Sequence, residues 1–249
     1  MVGRLFLRGL LAGALAGFIA FGFARTFGEP ALDQAIAFEA THSGGHSHGE
    51  TELAHDHAGE APEVSRATQA GIGLMTVTVL FGVALGGLLS LVFAFVYGRM
   101  PAIGPRGTAA LLALAAFLSV NLVPAIKYPP APPGVGDPDT IGFRTVVYLV
   151  MVLVSIGAMA SSVSVSRSLM ARIGAWNGAL VGAALFVIVV AVAHVLLPAI
   201  NDVPTNFPAA VLWDFRVAAL GVQLVLWAGI GLIFGTLAKR AMASSPVAR

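Results

Sequence analysis

The sequence predicts an all-α polytopic membrane protein with six transmembrane helices and both termini in the cytoplasm. Three observations carry that reading. Of 249 residues, 57% are hydrophobic and only 10% are charged, where a soluble domain of this size carries about a quarter. Residues 67–98, 107–126, 145–166, 173–201 and 217–238 contain no Asp, Glu, Lys or Arg, and about 20 apolar residues cross a bilayer core. All twelve acidic residues fall in three of the segments between the apolar stretches, and those three alternate with acid-free ones.

The spans are expected at about 5–27, 70–97, 107–126, 144–166, 175–197 and 215–238 of a single membrane domain. The first contains Arg8 and Arg25, whose long side chains can carry their charge to the interface. It is long for the apolar region of a secretory signal, and no clear A-x-A site ends it, so it reads as a retained span. Small residues at four-residue spacing, Gly9, Gly13 and Gly17, then Gly82 and Gly86, then Gly231 and Gly235, suit close helix packing. With no cysteine in the chain, there is no disulfide frame and no thiolate metal site.

Charge orients the bundle. One face holds Arg4, Arg8, Arg99, Arg106, Arg167, Arg172, Lys239, Arg240 and Arg249 with no acid. The other holds Glu29, Asp33, Glu39, Glu50, Glu52, Asp56, Glu60, Glu63, Asp137, Asp139, Asp202 and Asp214. Basic residues in short loops stay inside. The acidic loops are therefore expected outside, periplasmic if the chain is bacterial, with the protein in the inner (plasma) membrane.

The first outer loop, residues 28–69, is the only long one. It opens with Gly28-Glu29-Pro30, a helix-start signal, and Leu32, Ala35 and Ile36 predict a short helix lying on the membrane surface. Residues 41–61 are rich in His, Gly, Ser and Glu and lack a hydrophobic period. The two later outer loops resemble each other. Leu122-Val123-Pro124-Ala125-Ile126 matches Leu196-Leu197-Pro198-Ala199-Ile200, and each is followed by a Pro-bearing loop ending in Phe-Arg, at Arg144 and Arg216. Either helices three–four and five–six are copies of one hairpin unit, or the loops share chemistry only; repeats place transport sites near their interface.

His42, His46, His48, His55 and His57, with Asp56 among them, have the imidazole and carboxylate chemistry of a divalent cobalt, nickel, zinc or copper site. A flexible tract imposes no fixed geometry; its use would be to concentrate ions locally. The plainer reading is a solvated loop. His194 lies one turn below Pro198, Asn121 at similar depth in the third span, and Gln223 near the middle of the sixth. These three, with Asp137, Asp139, Asn201, Asp202 and Asp214 around them, are candidates to line a cation entrance. Ordinary helix–helix hydrogen bonds would account for the intramembrane three equally. Glu29 and Asp33 share a helix face. Walker, H-E-x-x-H and G-x-S-x-G patterns are absent, so no enzyme and no resident cofactor is expected, only a carried or bound divalent metal.

The stretches LFLRGLLAGALAGFIAFGFARTFGEPALDQAIAFE, EVSRATQAGIGL, KYPPAPPGVGDPDTIGFRT and PAINDVPTNFPAAVLWDFR resemble the CbtA family of predicted cobalt transporter subunits over nearly the whole chain. The resemblance implies cobalt, an association with cobalamin synthesis and a small single-span partner, CbtB, with a His-rich end. It supplies no ligand residues. The expected function is uptake of a divalent transition metal, cobalt first, with the outer loop as collector. The alternatives are nickel or zinc on the same architecture, or a membrane scaffold or sensor that binds metal without carrying it. A divalent ion entering through 100 mV gains about 4.6 kcal/mol, about three decades of accumulation, so uptake needs no ATP.

Overall fold

The computed structural model describes residues 2–43, 65–99 and 103–243. Six of its helices are long and apolar enough to cross a membrane: α1 (Val2–Thr41), α2 (Arg66–Val96), α3 (Pro105–Lys127), α4 (Ile141–Ile173), α5 (Ala175–Leu196) and α6 (Ala209–Ala243). No strand occurs among the described residues. Seven of the twelve acids are described, and all seven lie at one end of the bundle, opposite the basic termini.

Small residues set the packing order. α1 lies between α2 and α6, α3 runs along α6, and α4 and α5 form an antiparallel hairpin about Gly174 that meets α3 at the acidic end. The glycine stripe of α1 is a true backbone contact. A Cβ on Gly13 would stand 2.0 Å from the Gly82 carbonyl oxygen, and one on Gly9 2.4 Å from that of Gly86. Gly231 and Gly235 admit Ala113 and Ala109 in the same way. Without a solvent-driven term between helices in lipid, such close approach is what dispersion needs. The core grows around this contact from Phe93, Leu226, Trp227, Ile230 and Phe234, all buried, with Phe93 edge-on to Phe234 at 5.1 Å. Exposed Trp176 and Trp213 stand at opposite ends, where amphipathic rings suit the two interfaces.

The expected surface helix after residue 28 is corrected. Residues Glu29–Ser43 continue α1 directly, through a π-helical turn at Ala24–Gly28. A proline removes one helical donor and clashes with the carbonyl four residues back; the wider turn before Pro30 relieves that clash, so the helix goes on rather than restarting. Pro124 follows the same device, a π turn at Phe117–Leu122. The extension of α1 stands under the two later loops instead of lying flat. Ala35 packs with Val135, Phe207 and Leu212, and Phe38 meets Phe207 at 4.8 Å.

Arg8 does not simply reach for the interface: its Nη1 donates to the Leu237 carbonyl at 3.0 Å, joining α1 to α6. Glu29 and Asp33 do share a face, and Arg66 occupies it. Its Nη2 lies 2.5 Å from Glu29 and 2.9 Å from Asp33. These carboxylates are held by the protein's own cation.

Candidate functional site

At the acid-bearing end, α3, α4, α6 and the two proline-rich loops enclose a cavity of about 500 Å³. Asn121, Tyr128, Arg144, Thr145, Tyr148, Asp202, Arg216 and Gln223 supply its polar wall. Gln223 lies two helical turns below Arg216, so the cavity reaches about 10 Å into the bundle.

Three residues expected to line a cation entrance come together here: Asn121, Asp202 and Gln223. Their availability differs. The Asn121 carbonyl oxygen already accepts from Trp227 Nε1 at 2.6 Å, which leaves its amide NH₂ as the free end. Asp202 Oδ2 accepts from Thr140 Oγ1 at 2.7 Å and stands 3.7 Å from Arg144 Nη1. Gln223 Oε1 is buried and has no partner among the described residues. Asp137, Asp139, Asn201 and Asp214 are exposed and lie outside the cavity wall. Asp137 Oδ1 instead accepts the Asp139 backbone N–H at 2.9 Å, a local turn bond.

His194 is also outside the cavity. Its Nδ1 is 3.0 Å from the Val190 carbonyl, and a carbonyl can only accept, so Nδ1 carries the proton. In the neutral ring Nε2 is then the lone-pair nitrogen, buried and without a partner among the described residues. The His194 carbonyl accepts from Lys127 Nζ at 2.9 Å. His42 lies in the last turn of the α1 extension. His46, His48, His55, His57 and Asp56 lie outside the described residues. Among the described residues no three His, Asp or Glu side chains form a metal-holding group.

Sequence reading missed the two arginines that dominate the wall. Each is fixed by the loop of the other half. Arg144, at the start of α4, reaches Asp202 after α5; Arg216, at the start of α6, donates from Nε to the Pro130 carbonyl after α3 at 3.3 Å. The loops are tied together again by Tyr128, whose hydroxyl donates to the Pro198 carbonyl at 2.8 Å. Burial pushes the Tyr128 phenol above its ordinary value, so it stays a donor at neutral pH. Gly136, at φ +109°, makes room for Arg144: a Cβ there would meet Nη1 at 2.0 Å. The signal is the repeated Phe-Arg, Phe143-Arg144 and Phe215-Arg216, which in the sequence marks a repeat and in the structure supplies the charge of the wall.

The electrostatic consequence is direct. Among the described residues two guanidinium groups and one carboxylate line the cavity, so these groups leave one positive charge over. A divalent ion roughly 6 Å from one unpaired guanidinium is opposed by about 5 kcal/mol at an effective dielectric near 20.

Comparison with known families decides the broader assignment. The CbtA model, described as a probable cobalt transporter subunit, matches residues 2–239. The chain belongs to the CbtA family. No curated protein and no solved structure matches it. A CbtA chain with six apolar helices is a multi-pass membrane protein, and as a subunit it implies partner proteins. The description is that of a transporter component and not of an enzyme.

Proposed function

We propose that this CbtA chain carries a divalent transition metal, cobalt first, into the cell across the inner membrane, with both termini cytoplasmic. The observation that supports it most is the cavity at the acid-bearing end, where Asn121, Asp202 and Gln223 meet in a member of a cobalt-transporter family. On this reading the cavity is the outer mouth. The His and acid tract of residues 41–61, with His42, His46, His48, His55, Asp56 and His57, collects the ion. A small single-span partner completes the path.

A metal with its water shell presents donors, so the Asp202 carboxylate on the cavity wall can receive its waters without stripping them, while Gln223 Oε1 lies buried beside the same cavity. The Arg144–Asp202 separation of 3.7 Å is beyond hydrogen-bond length, so Asp202 can be released to the ion. His194 Nε2, also buried and without a partner among the described residues, is a candidate ligand separate from this mouth. The inward membrane potential supplies the driving force.

The test is cobalt accumulation in cells lacking other cobalt and nickel importers, expressing this chain with its partner, intact or without residues 41–61. Uptake that persists at high cobalt and falls at trace cobalt supports a collector above a bundle pathway. Equal absence of uptake from both forms, each present in the membrane, overturns the transport reading in favour of a metal-binding scaffold or sensor.

A further inference from the structure

The charge of the cavity is the wrong sign for a bare cation and the right sign for something else. We propose that it is an oxyanion site, which holds a carboxylate or phosphate group between Arg144 and Arg216. Four observations converge on it. Both arginines line the same cavity, and among the described residues one carboxylate, Asp202, stands with them. Asp202 is 3.7 Å from Arg144 and takes its short hydrogen bond from Thr140 instead, so the Arg144 fork is not used up. Arg216 spends only Nε, on the Pro130 carbonyl, and its two terminal nitrogens remain to donate. The other free polar ends on the wall include further donors, the Asn121 amide NH₂ and the Tyr148 hydroxyl, while the Thr145 hydroxyl already donates to the Ile141 carbonyl at 2.8 Å.

The sequence match gives the site its form. Arg144 and Arg216 occupy equivalent places after the two matching Pro-Ala-Ile turns, and each reaches across to the other's loop. Two related guanidinium groups facing one space form a clamp, and planar forks match carboxylate and phosphate oxygens two at a time. Gly136, with no Cβ, is what lets the Arg144 head lie where it does. The proposal is independent of the cargo. It also removes the obstacle noted above, because a bound oxyanion neutralises the wall and lets a cation approach.

The group could come from a soluble acid or from a lipid headgroup, and the experiment separates them. The full chain is reconstituted in phosphatidylcholine discs and titrated with citrate alone and with inorganic phosphate alone at fixed ionic strength. In a second arm, discs containing phosphatidylglycerol are analysed by native mass spectrometry for retained lipid. Saturable citrate or phosphate binding, weakened at least tenfold in R144Q and in R216Q, supports the site with a soluble ligand. Phosphatidylglycerol retained by the natural chain and lost in both variants supports it with a lipid ligand. R144K and R216K, which keep charge and lose the fork, should fall between and guard against variants that fail to fold. Binding that is absent in every arm, or equal in the natural chain and the variants, overturns the proposal. Cobalt uptake lost while citrate binding is intact would count against the transport reading alone; Arg-independent binding with normal uptake would count against this one alone.

Discussion

Gly136→Ala probes the cavity from outside its wall. Gly136 sits at φ +109°, where a side chain is strained, and its Cβ would stand 2.0 Å from Arg144 Nη1. The backbone term costs about 1–2 kcal/mol. The contact is with the tip of a flexible side chain, so Arg144 moves and the backbone does not. Moving it weakens the pair with Asp202, whose Coulomb energy at 3.7 Å is about 4 kcal/mol at an effective dielectric of 20. After the cost of desolvation, about 1 kcal/mol of that should survive as net stability. The assay is a double-mutant cycle by thermal or denaturant unfolding in detergent: G136A, R144Q and both together. The cycle should close with about 1 kcal/mol of coupling, because without Arg144 the alanine meets nothing and only the backbone strain remains. In binding, G136A should behave as a milder R144Q. Equal cost of G136A in both backgrounds, with unchanged citrate affinity, would refute the cradle.

Other expectations follow from single contacts. Gly13→Val should push α1 from α2, since the obstacle is the Gly82 backbone at 2.0 Å; a cost of about 2–3 kcal/mol, or roughly 5–10 °C in detergent, should appear in a thermal melt, and a full melt at the natural temperature would contradict it. Phe38→Ala removes the ring that holds Phe207; a loss of about 2 kcal/mol should come with faster protease nicking between residues 129 and 138, and no change in nicking would deny α1 its supporting role. Trp227→Phe takes away the 2.6 Å donor to Asn121; it should cost about 1 kcal/mol and nothing further in an N121A background, and additive losses would show that the bond carries no stability.

The fold was legible because lipid imposes a simple rule. Charge-free stretches of span length and a one-sided acid distribution require nothing beyond local composition, and the six helices follow. The glycine contacts were legible for the same reason, since four-residue spacing of small residues has few uses in a helix. Pro30 was misleading. Read locally it starts a helix, but the π turn before it and the burial of Ala35 and Phe38 under distant loops carry the helix through. Those loops are 100 and more residues away in the chain, and no local pattern announces them.

The site was half legible. Asn121 and Gln223 are legible as polar groups at membrane depth and Asp202 as an outer-loop acid, and the three line one cavity, whereas His194, the third group at that depth, lies outside it. The roles of their atoms did not follow, because whether Asn121 offers oxygen or nitrogen depends on Trp227 in another helix. In the sequence Arg144 and Arg216 are only the matching ends of two Pro-bearing loops. What makes them a pair is that each crosses to the opposite loop, which only the tertiary structure displays.

The central claim, that the chain carries cobalt inward, is tested most directly with purified protein and its partner in sealed vesicles holding an internal cobalt indicator. An inside-negative potential of 100 mV is imposed with a potassium gradient and valinomycin. Cobalt influx should depend on the protein, fall in a Gln223→Ala variant and grow with the potential toward about three decades of accumulation. Influx no greater than in protein-free vesicles, at any potential and with both proteins present, would contradict it.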